Sequence, residues 1–197
     1  MKKAMIAAAL VCLLVVPCRV GAGVPLETIR THVNSVLEVL RDPALQEETA
    51  RDTKKKRVES IADGMFDFIE LAKRTLGREW NSLNRDQREE FVTLYRSILE
   101  KAYMDRILAY SDEKVVFDRE IMLADDKAEV QSHILTASAD IPIFYRVIRI
   151  EETWRVYDVI IEGVSLIKNY RTQFREILLT KSPDGLLAIL REKVNGS

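Results

Sequence analysis

The stretch from Trp154 to Phe174 constrains the fold most, because it joins a buried strand to an amphipathic helix through a sharp turn. From Trp154 to Ile161 the residues are mostly β-branched, aromatic or aliphatic, which favours a strand packed on at least one face. Glu162-Gly163 interrupts this pattern, and glycine tolerates backbone angles that a side chain forbids. Beyond the turn, apolar residues recur three or four positions apart, the period of a helix. The segment therefore predicts a helix that leans over its own sheet, with a cavity at the junction.

Two separated blocks of sequence carry a family resemblance. One block runs from Tyr157 to Ile167 and is followed by Arg171-x-x-Phe174. The other comprises Asp67-Phe68-x-x-Leu71-Ala72-Lys73, Leu76-Gly77-x-x-Trp80 and Gln87-Arg88-x-x-Phe91. Together they resemble the MlaC-type periplasmic phospholipid carriers, also called the toluene-tolerance family.

This resemblance implies a function and a set of partners. Such carriers bind phospholipid with its acyl chains buried, and they move it between an inner-membrane ABC transporter complex and an outer-membrane lipoprotein–porin complex. They consume no nucleotide, and the resemblance implies no cofactor and no enzymatic activity. Branches of the family are associated with other lipids, including hopanoids, so the lipid class stays open. We expect a monomer.

The first 22 residues are typical of a secretory signal peptide. Lys2 and Lys3 form a basic start, Ala4 to Val16 is apolar, and Val20-Gly21-Ala22 offers small residues for cleavage. The apolar run is shorter than the roughly 20 residues of a membrane span. Cys18 would be the anchor of a lipoprotein, but the residues before it fit that signal poorly. We therefore predict that residues 1–22 are removed and that residues 23–197 form a single carrier domain in the periplasm.

Composition excludes several function classes for the mature chain. Both cysteines, Cys12 and Cys18, leave with the signal peptide, so disulfides are excluded. Without Lys2, Lys3 and Arg19, the mature chain has 27 basic and 31 acidic residues, so no nucleic-acid partner is expected. The basic run at 54–57 could meet lipid headgroups or an acidic partner, but nearby carboxylates favour a solvated helix face.

Hydrophobic periodicity predicts the order of elements. Helical patterns cover approximately 25–42, 46–62, 67–76 and 84–110, with Asp67 and the box Asn84-x-x-Gln87 as N-caps and a loop at Asp63-Gly64. Alternating patterns then predict four strands with short turns, in which Val115, Phe117, Ile121 and Leu123 share one face of the first. Two helices close the chain. We therefore expect an α+β fold with a curved four-stranded antiparallel meander, similar to the NTF2-like cone with an apolar pocket.

Catalysis was tested against the same residues. His32 and His133 have no second ligand at metal spacing, and no nucleophile motif is present. Tyr145, Tyr157 and Asp158 could serve an NTF2-like isomerase or hydrolase, which remains the alternative function. Adjacent residues of a regular strand point to opposite faces, however, so Tyr157 and Asp158 should not share a pocket. We expect Asp158 to be hydrogen-bonded structurally and Ser165 to cap the helix that follows.

The predicted lipid site combines inward strand positions with a helical wall. Each of these side chains could equally be ordinary core. The predicted lining residues are Phe68, Leu71, Leu94, Ile98, Phe117, Val130, Ile134, Ile143, Tyr145, Val147, Tyr157, Ile161, Val164 and Ile167. Val164 ranks highest because it follows the turn directly. Our hypothesis is that Val164→Glu buries an unpaired charge and abolishes lipid loading.

Overall fold

The computed structural model describes residues 24–110 and 113–196, and the predicted signal peptide lies outside them. None of the helices in these two segments is long and apolar enough to cross a membrane. The helices are α1 (Val24–Arg41), α2 (Arg51–Met65), α3 (Phe68–Leu76), α4 (Arg85–Leu108), α5 (Leu166–Leu178) and α6 (Pro183–Asn195). Short 3₁₀ segments lie at Pro43–Leu45, Glu48–Ala50 and Gly77–Ser82.

The starts of α3, α4, α5 and α6 follow from side chains that accept backbone N–H groups. Asp67 accepts from Glu70 N at 2.8 Å, which starts α3 as predicted. Asn84 and Gln87 form the predicted reciprocal capping box at α4. Ser182 starts α6 with Pro183 in its first turn. Local sequence thus determines these boundaries.

Helix α2 departs from the expected loop at Asp63-Gly64. It continues through both residues to Met65, which is buried at 5 % exposure. The chain then leaves the helix at Phe66, which bridges Val156, and Asp67 N donates to Val156 O at 2.9 Å. Tertiary pairing therefore sets this boundary, because it overrides the weak local preference of glycine against helix.

The sheet has five antiparallel strands in the order of the chain. They are β1 (Lys114–Ala124), β2 (Lys127–Leu135), β3 (Asp140–Ile150), β4 (Thr153–Ile161) and β5 (Val164–Ser165). The predicted α+β meander is confirmed, with one short strand more than the four expected. β5 forms because Glu162 and Gly163 both have positive φ, 50° and 81°, the geometry of a two-residue hairpin. This hairpin pairs Val164 with Ile161.

Of the three register shifts in the sheet of the described residues, one in β1 and one in β4 change which predicted side chains share a face. The β1 bulge lies between Phe117 and Arg119, so Glu120 pairs with Val130 and Ile121 is turned to the other face. The prediction that Ile121 shares the face of Phe117 is therefore wrong. The β4 bulge leaves Tyr157 without a partner between Val156 and Asp158. A prediction based on strict alternation does not detect an extra residue of this kind.

The buried core is closed by an aromatic cluster between α3, α4 and α5. Its members are Phe91, Tyr95, Tyr170 and Phe174, and their ring centroids lie 5.1–5.7 Å apart. All four are less than a tenth exposed. Burial raises the pKa of Tyr95 well above its usual range, and its hydroxyl accepts from Thr75 Oγ1 at 3.3 Å. The cluster anchors the helices to one another.

The basic run of α2 is mostly paired within the fold. Arg57 meets Asp42 at 3.2 Å, Lys55 meets Glu59 at 3.7 Å, and Lys54 donates to Gln46 at 3.4 Å. Lys55 and Arg57 remain exposed, as a solvated helix face predicts, whereas Lys54 is buried at 8 % exposure.

Candidate functional site

Strand register gathers most of the predicted lining residues on one face of the sheet, which we call the inner face. One row of directly paired residues crosses all five strands through Phe117, Ser132, Ile143, Ile161 and Val164. Side chains of directly paired residues point to the same face. The eight predicted residues on the inner face are Phe117, Val130, Ile134, Ile143, Tyr145, Val147, Ile161 and Val164.

Exposure rises from one end of the inner face to the other. Val130 and Val147 are fully buried at 0 %, and both belong to the core. The next residues toward the β2–β3 and β4–β5 turns are half-buried, and Val164 is 57 % exposed. We call the half-buried set the open end, and it consists of Phe117, Ile134, Ile143, Tyr145 and Ile161. The inner face is thus a largely apolar surface that is buried at one end and continues to solvent at the other.

The polar groups of the open end are satisfied internally. Ser132 is fully buried, and its Oγ donates to Ile143 O at 2.8 Å. Burial is the main influence on the pKa of Tyr145, and the neighbouring Ser132 side chain acts in the lowering direction. Burial raises the pKa of Tyr145 to about 12, so its phenol stays neutral at physiological pH. Both groups are held by the protein itself, which leaves this surface uncharged.

Helix α1 lies across the inner face and carries the nearest charges. Glu120, turned inward by the β1 bulge, accepts from Leu26 N at 2.8 Å and so binds the start of α1. Arg30 lies over the ring of Phe117 at 5.4 Å and also pairs with Glu27 at 2.6 Å. These charges are therefore at the rim and already have partners.

Two predicted lining residues occupy other places than expected. Tyr157 is the unpaired bulge residue, Val156 takes the inner-face position opposite Val147, and the Tyr157 ring lies under Arg74 of α3 at 4.1 Å. Val164 lies at the hairpin tip in solvent, so a glutamate there is not buried in this conformation. The physical reasons are the extra residue in β4 and the two-residue turn, neither of which strict alternation predicts.

The predicted helical wall is dispersed. Leu71 and Ile98 are core residues at 0 % and 3 % exposure, and Leu94 is partly buried against that core. Phe68 stacks on Phe66 at 5.5 Å and lies under Arg96. Ile167 is buried where α5 begins, and its N–H donates to Asp158 at 3.1 Å.

Asp158 has a structural role at the start of α5. It is 2 % exposed and accepts from Ser165 Oγ at 2.7 Å, while Ser165 Oγ accepts from Lys168 N at 3.1 Å as the predicted cap. Asp158 pairs with Arg146, whereas Tyr145 pairs with Val159 on the inner face. The arrangement considered for an isomerase, with Tyr145, Tyr157 and Asp158 converging, is therefore not assembled.

No group of three or more His, Cys, Asp or Glu side chains positioned for a metal ion occurs in residues 24–110 and 113–196. His133 lies between Asp118 at 2.9 Å and Asp140 at 2.6 Å, and the hydrogen bond to Asp140 is the main cause of its raised pKa. Burial lowers the pKa of His32, and the charge of Arg155 lowers it further. The pKa shifts of both histidines are thus explained by neighbouring groups and by burial.

Two surface clefts lie away from the inner face. One, of about 780 Å³, lies between α1 and the middle of α2 and includes Leu37, Arg57 and Ile61 in its lining. The other, of about 290 Å³, lies between the end of α3 and α5 and includes Arg78 and Phe174. Neither contains a residue of the open end.

Sequence reasoning missed Ser132 and Glu120 as parts of the site. Ser132 lies on the inner face opposite Ile143, but a hydroxyl in an apolar strand has no distinctive sequence pattern. Glu120 was missed because the β1 bulge reverses its direction. The signal that could find Glu120 is a charged residue in an otherwise apolar strand, opposite a helix start.

The comparisons with known proteins agree with this architecture. The intermembrane phospholipid transport system binding protein MlaC of Haemophilus influenzae is 24 % identical over 143 residues, which is 68 % of this chain and 67 % of that protein. A phospholipid-binding protein from Ralstonia solanacearum, solved in complex with a phospholipid, has the same fold with a TM-score of 0.78. That match has 23 % identity and covers 88 % of this chain and 98 % of the other.

The family comparison covers most of the chain. The sequence model described as "MlaC protein" matches residues 30–192, a range that contains both blocks of the sequence resemblance and all five strands. The chain therefore belongs to the MlaC protein family.

Proposed function

We propose that this chain is a periplasmic phospholipid carrier of an Mla-type intermembrane transport system. The Haemophilus relative is named as the binding protein of such a system, and the Ralstonia structure holds a phospholipid. By analogy, the carrier exchanges phospholipid with an inner-membrane ABC transporter complex and with an outer-membrane lipoprotein–porin complex. It acts by binding and release, without covalent chemistry.

The observation that supports this proposal is the graded inner face. An acyl chain needs an apolar surface without unpaired polar groups, and a way in from solvent. Phe117, Ile143 and Ile161 provide half-buried apolar area next to the turns, and Val130 and Val147 extend it into the core. Ser132 donates its proton to Ile143 O, and the phenol of Tyr145 stays neutral, so neither group places a charge against a hydrocarbon neighbour.

Energetics favour carriage by a surface of this kind. Burying acyl chain contributes about 0.8 kcal/mol per CH₂ relative to water. Two sixteen-carbon chains would therefore gain on the order of 25 kcal/mol, but a bilayer offers nearly the same environment. A carrier that resembles hydrocarbon can thus exchange lipid with a membrane or partner close to balance. Strong headgroup binding is not required, and it would slow unloading.

Native mass spectrometry of the protein expressed with its N-terminal segment tests the proposal. We expect a mass increment that organic solvent removes and that fragmentation identifies as phospholipid. A hopanoid or another lipid in its place would change the proposed cargo and leave carriage intact. Protein that is always lipid-free, even after incubation with phospholipid, would contradict the carrier function.

A further inference from the structure

The feature that the proposed function does not use is a basic face on α5. Lys168, Arg171, Arg175 and Leu179 follow one another at spacings of three or four residues, so they form one stripe along the helix. Arg78 lines the same cleft as Arg171 and Arg175. We define the α5 basic face as Arg78, Lys168, Arg171 and Arg175.

Most of these cations have no partner within the protein. The side chains of Arg78, Lys168 and Arg175 make no hydrogen bond or ion pair within residues 24–110 and 113–196, and all three are exposed. Arg171 donates to Arg74 O at 2.6 Å, which fixes α5 against α3. The run at 54–57 differs in this respect, because Lys54, Lys55 and Arg57 are engaged within the fold.

Exposed apolar side chains flank the α5 basic face. Leu179, one turn beyond Arg175, is 74 % exposed, and Val164, four residues before Lys168, is 57 % exposed. Glu79 is the acidic residue that lines the cleft with Arg78. Cations next to exposed leucine and valine fit the bilayer interface, where phosphates lie close to the first methylene groups.

The whole chain does not explain an affinity for anions. Its formal net charge is −1 at pH 7, so attraction to a negative surface has to come from a local concentration of positive charge. Exposed cationic side chains also fit a fluid headgroup layer, which needs no complementary shape.

We propose that the α5 basic face docks this protein onto the anionic lipid surface of a membrane. Val164 lies in the hairpin directly before α5 and ends the row that crosses the open end, so docking through α5 brings the apolar surface close to the bilayer. The proposal builds on the carrier function, since docking brings the carried lipid and the bilayer together.

Vesicle sedimentation of the full chain tests the docking. The vesicles are phosphatidylcholine alone, or equal parts of phosphatidylcholine and phosphatidylglycerol, at low and high salt. Each basic residue near an anionic surface contributes about fivefold in partitioning. Arg78→Gln, Lys168→Gln and Arg175→Gln together should therefore weaken binding to the anionic vesicles about 100-fold at low salt. Leu179→Asn should weaken it about tenfold.

The matched control neutralises three other exposed cations without side-chain contacts in the described residues. These are Lys56, Arg106 and Lys114, and their joint change to Gln should leave binding nearly unchanged. Equal losses in both triple variants would overturn the proposal, because net charge alone would then be responsible. Failure of the wild-type protein to bind anionic vesicles would also overturn the proposal. An acidic protein would then be the expected partner of the α5 basic face.

The same preparations separate docking from carriage. Their bound lipid is measured by native mass spectrometry, and we expect the triple variant of the α5 basic face to retain it. Normal lipid content with unchanged vesicle binding refutes the docking proposal alone. Absent lipid in the wild-type protein, with intact vesicle binding, refutes the carrier function alone.

Discussion

The aromatic cluster and the open end of the inner face are both apolar, but only the cluster is closed. Phe91, Tyr95, Tyr170 and Phe174 are covered by α3, α4 and α5, and they contact one another edge to face. The open end extends past the helices toward the turns of the sheet, so its side chains are only half-buried. Coverage by neighbouring elements, rather than residue type, separates a core from a binding surface.

Because of this difference, substitutions in the two regions should have different consequences. Removing a side chain from a closed core leaves a cavity that the surroundings fill only partly. Changing a side chain at the open end alters a surface that the proposed ligand would cover. Substitutions in the cluster should therefore affect stability, and substitutions at the open end should affect lipid content. Four experiments test this contrast.

The largest effect is expected in the aromatic cluster. Phe174 is 3 % exposed and contacts both Phe91 and Tyr95. Phe174→Ala should lower the free energy of unfolding by about 3–5 kcal/mol, measured by urea denaturation. Leu179→Ala is the control, because Leu179 is 74 % exposed and the change should cost less than about 0.5 kcal/mol. Similar losses in both variants would show that the cluster is not the closed region.

The open end is tested by two neighbours on β3 that face opposite sides. Ile143 belongs to the inner-face row, whereas Phe144 pairs with Gln131 and Ile160 on the other face, and both are half-buried. Ile143→Glu should reduce co-purified phospholipid at least about tenfold, because a carboxylate in the acyl-chain site is costly to desolvate. Phe144→Glu should retain the lipid. Equal lipid content in the two variants would place the site elsewhere.

The pH dependence of stability probes the polar pair of the open end. The phenol of Tyr145 has a pKa of about 12 in the folded state and about 10 in an unfolded chain. Its neutral form thus contributes stability that is complete below pH 10 and is lost as the pH rises through about 12. As the pH rises through this interval, the free energy of unfolding of Tyr145→Phe, measured by urea titration, should fall less than that of the wild type. Because Tyr95 is unchanged in both proteins, parallel profiles would contradict a buried Tyr145 hydroxyl.

The smallest effect on folding is expected at the hairpin tip. Val164 is 57 % exposed, so Val164→Glu should change the free energy of unfolding by less than about 0.5 kcal/mol. We nevertheless expect reduced lipid loading, because Val164 ends the row formed with Ile143 and Ile161. A stable variant with full lipid content would remove the hairpin tip from the proposed site. Val164→Thr, which keeps the shape without a charge, is the control.

Predictions from sequence succeeded where the deciding interaction is local. The caps at Asp67, Asn84 and Ser165 lie within three residues of the N–H groups that they accept, and each was identified correctly. Alternation also placed Val130, Ile143 and the other inner-face residues together, since a strand has a fixed period of two. The predictions failed at Tyr157 and Ile121, because one bulge residue reverses the alternation that follows.

By itself, the sequence determined the α+β order, the helix starts at Asp67, Asn84 and Ser165, the sharp turn at Glu162-Gly163 and the family resemblance. These depend on short-range hydrogen bonds, on backbone angles and on the period of apolar residues. Only the tertiary structure decided that Val130 is core while Ile143 is half-exposed, that Asp158 holds the start of α5, and that Val164 lies in solvent. Those outcomes depend on which helix covers which strand, and the residues that decide it lie far apart in the chain.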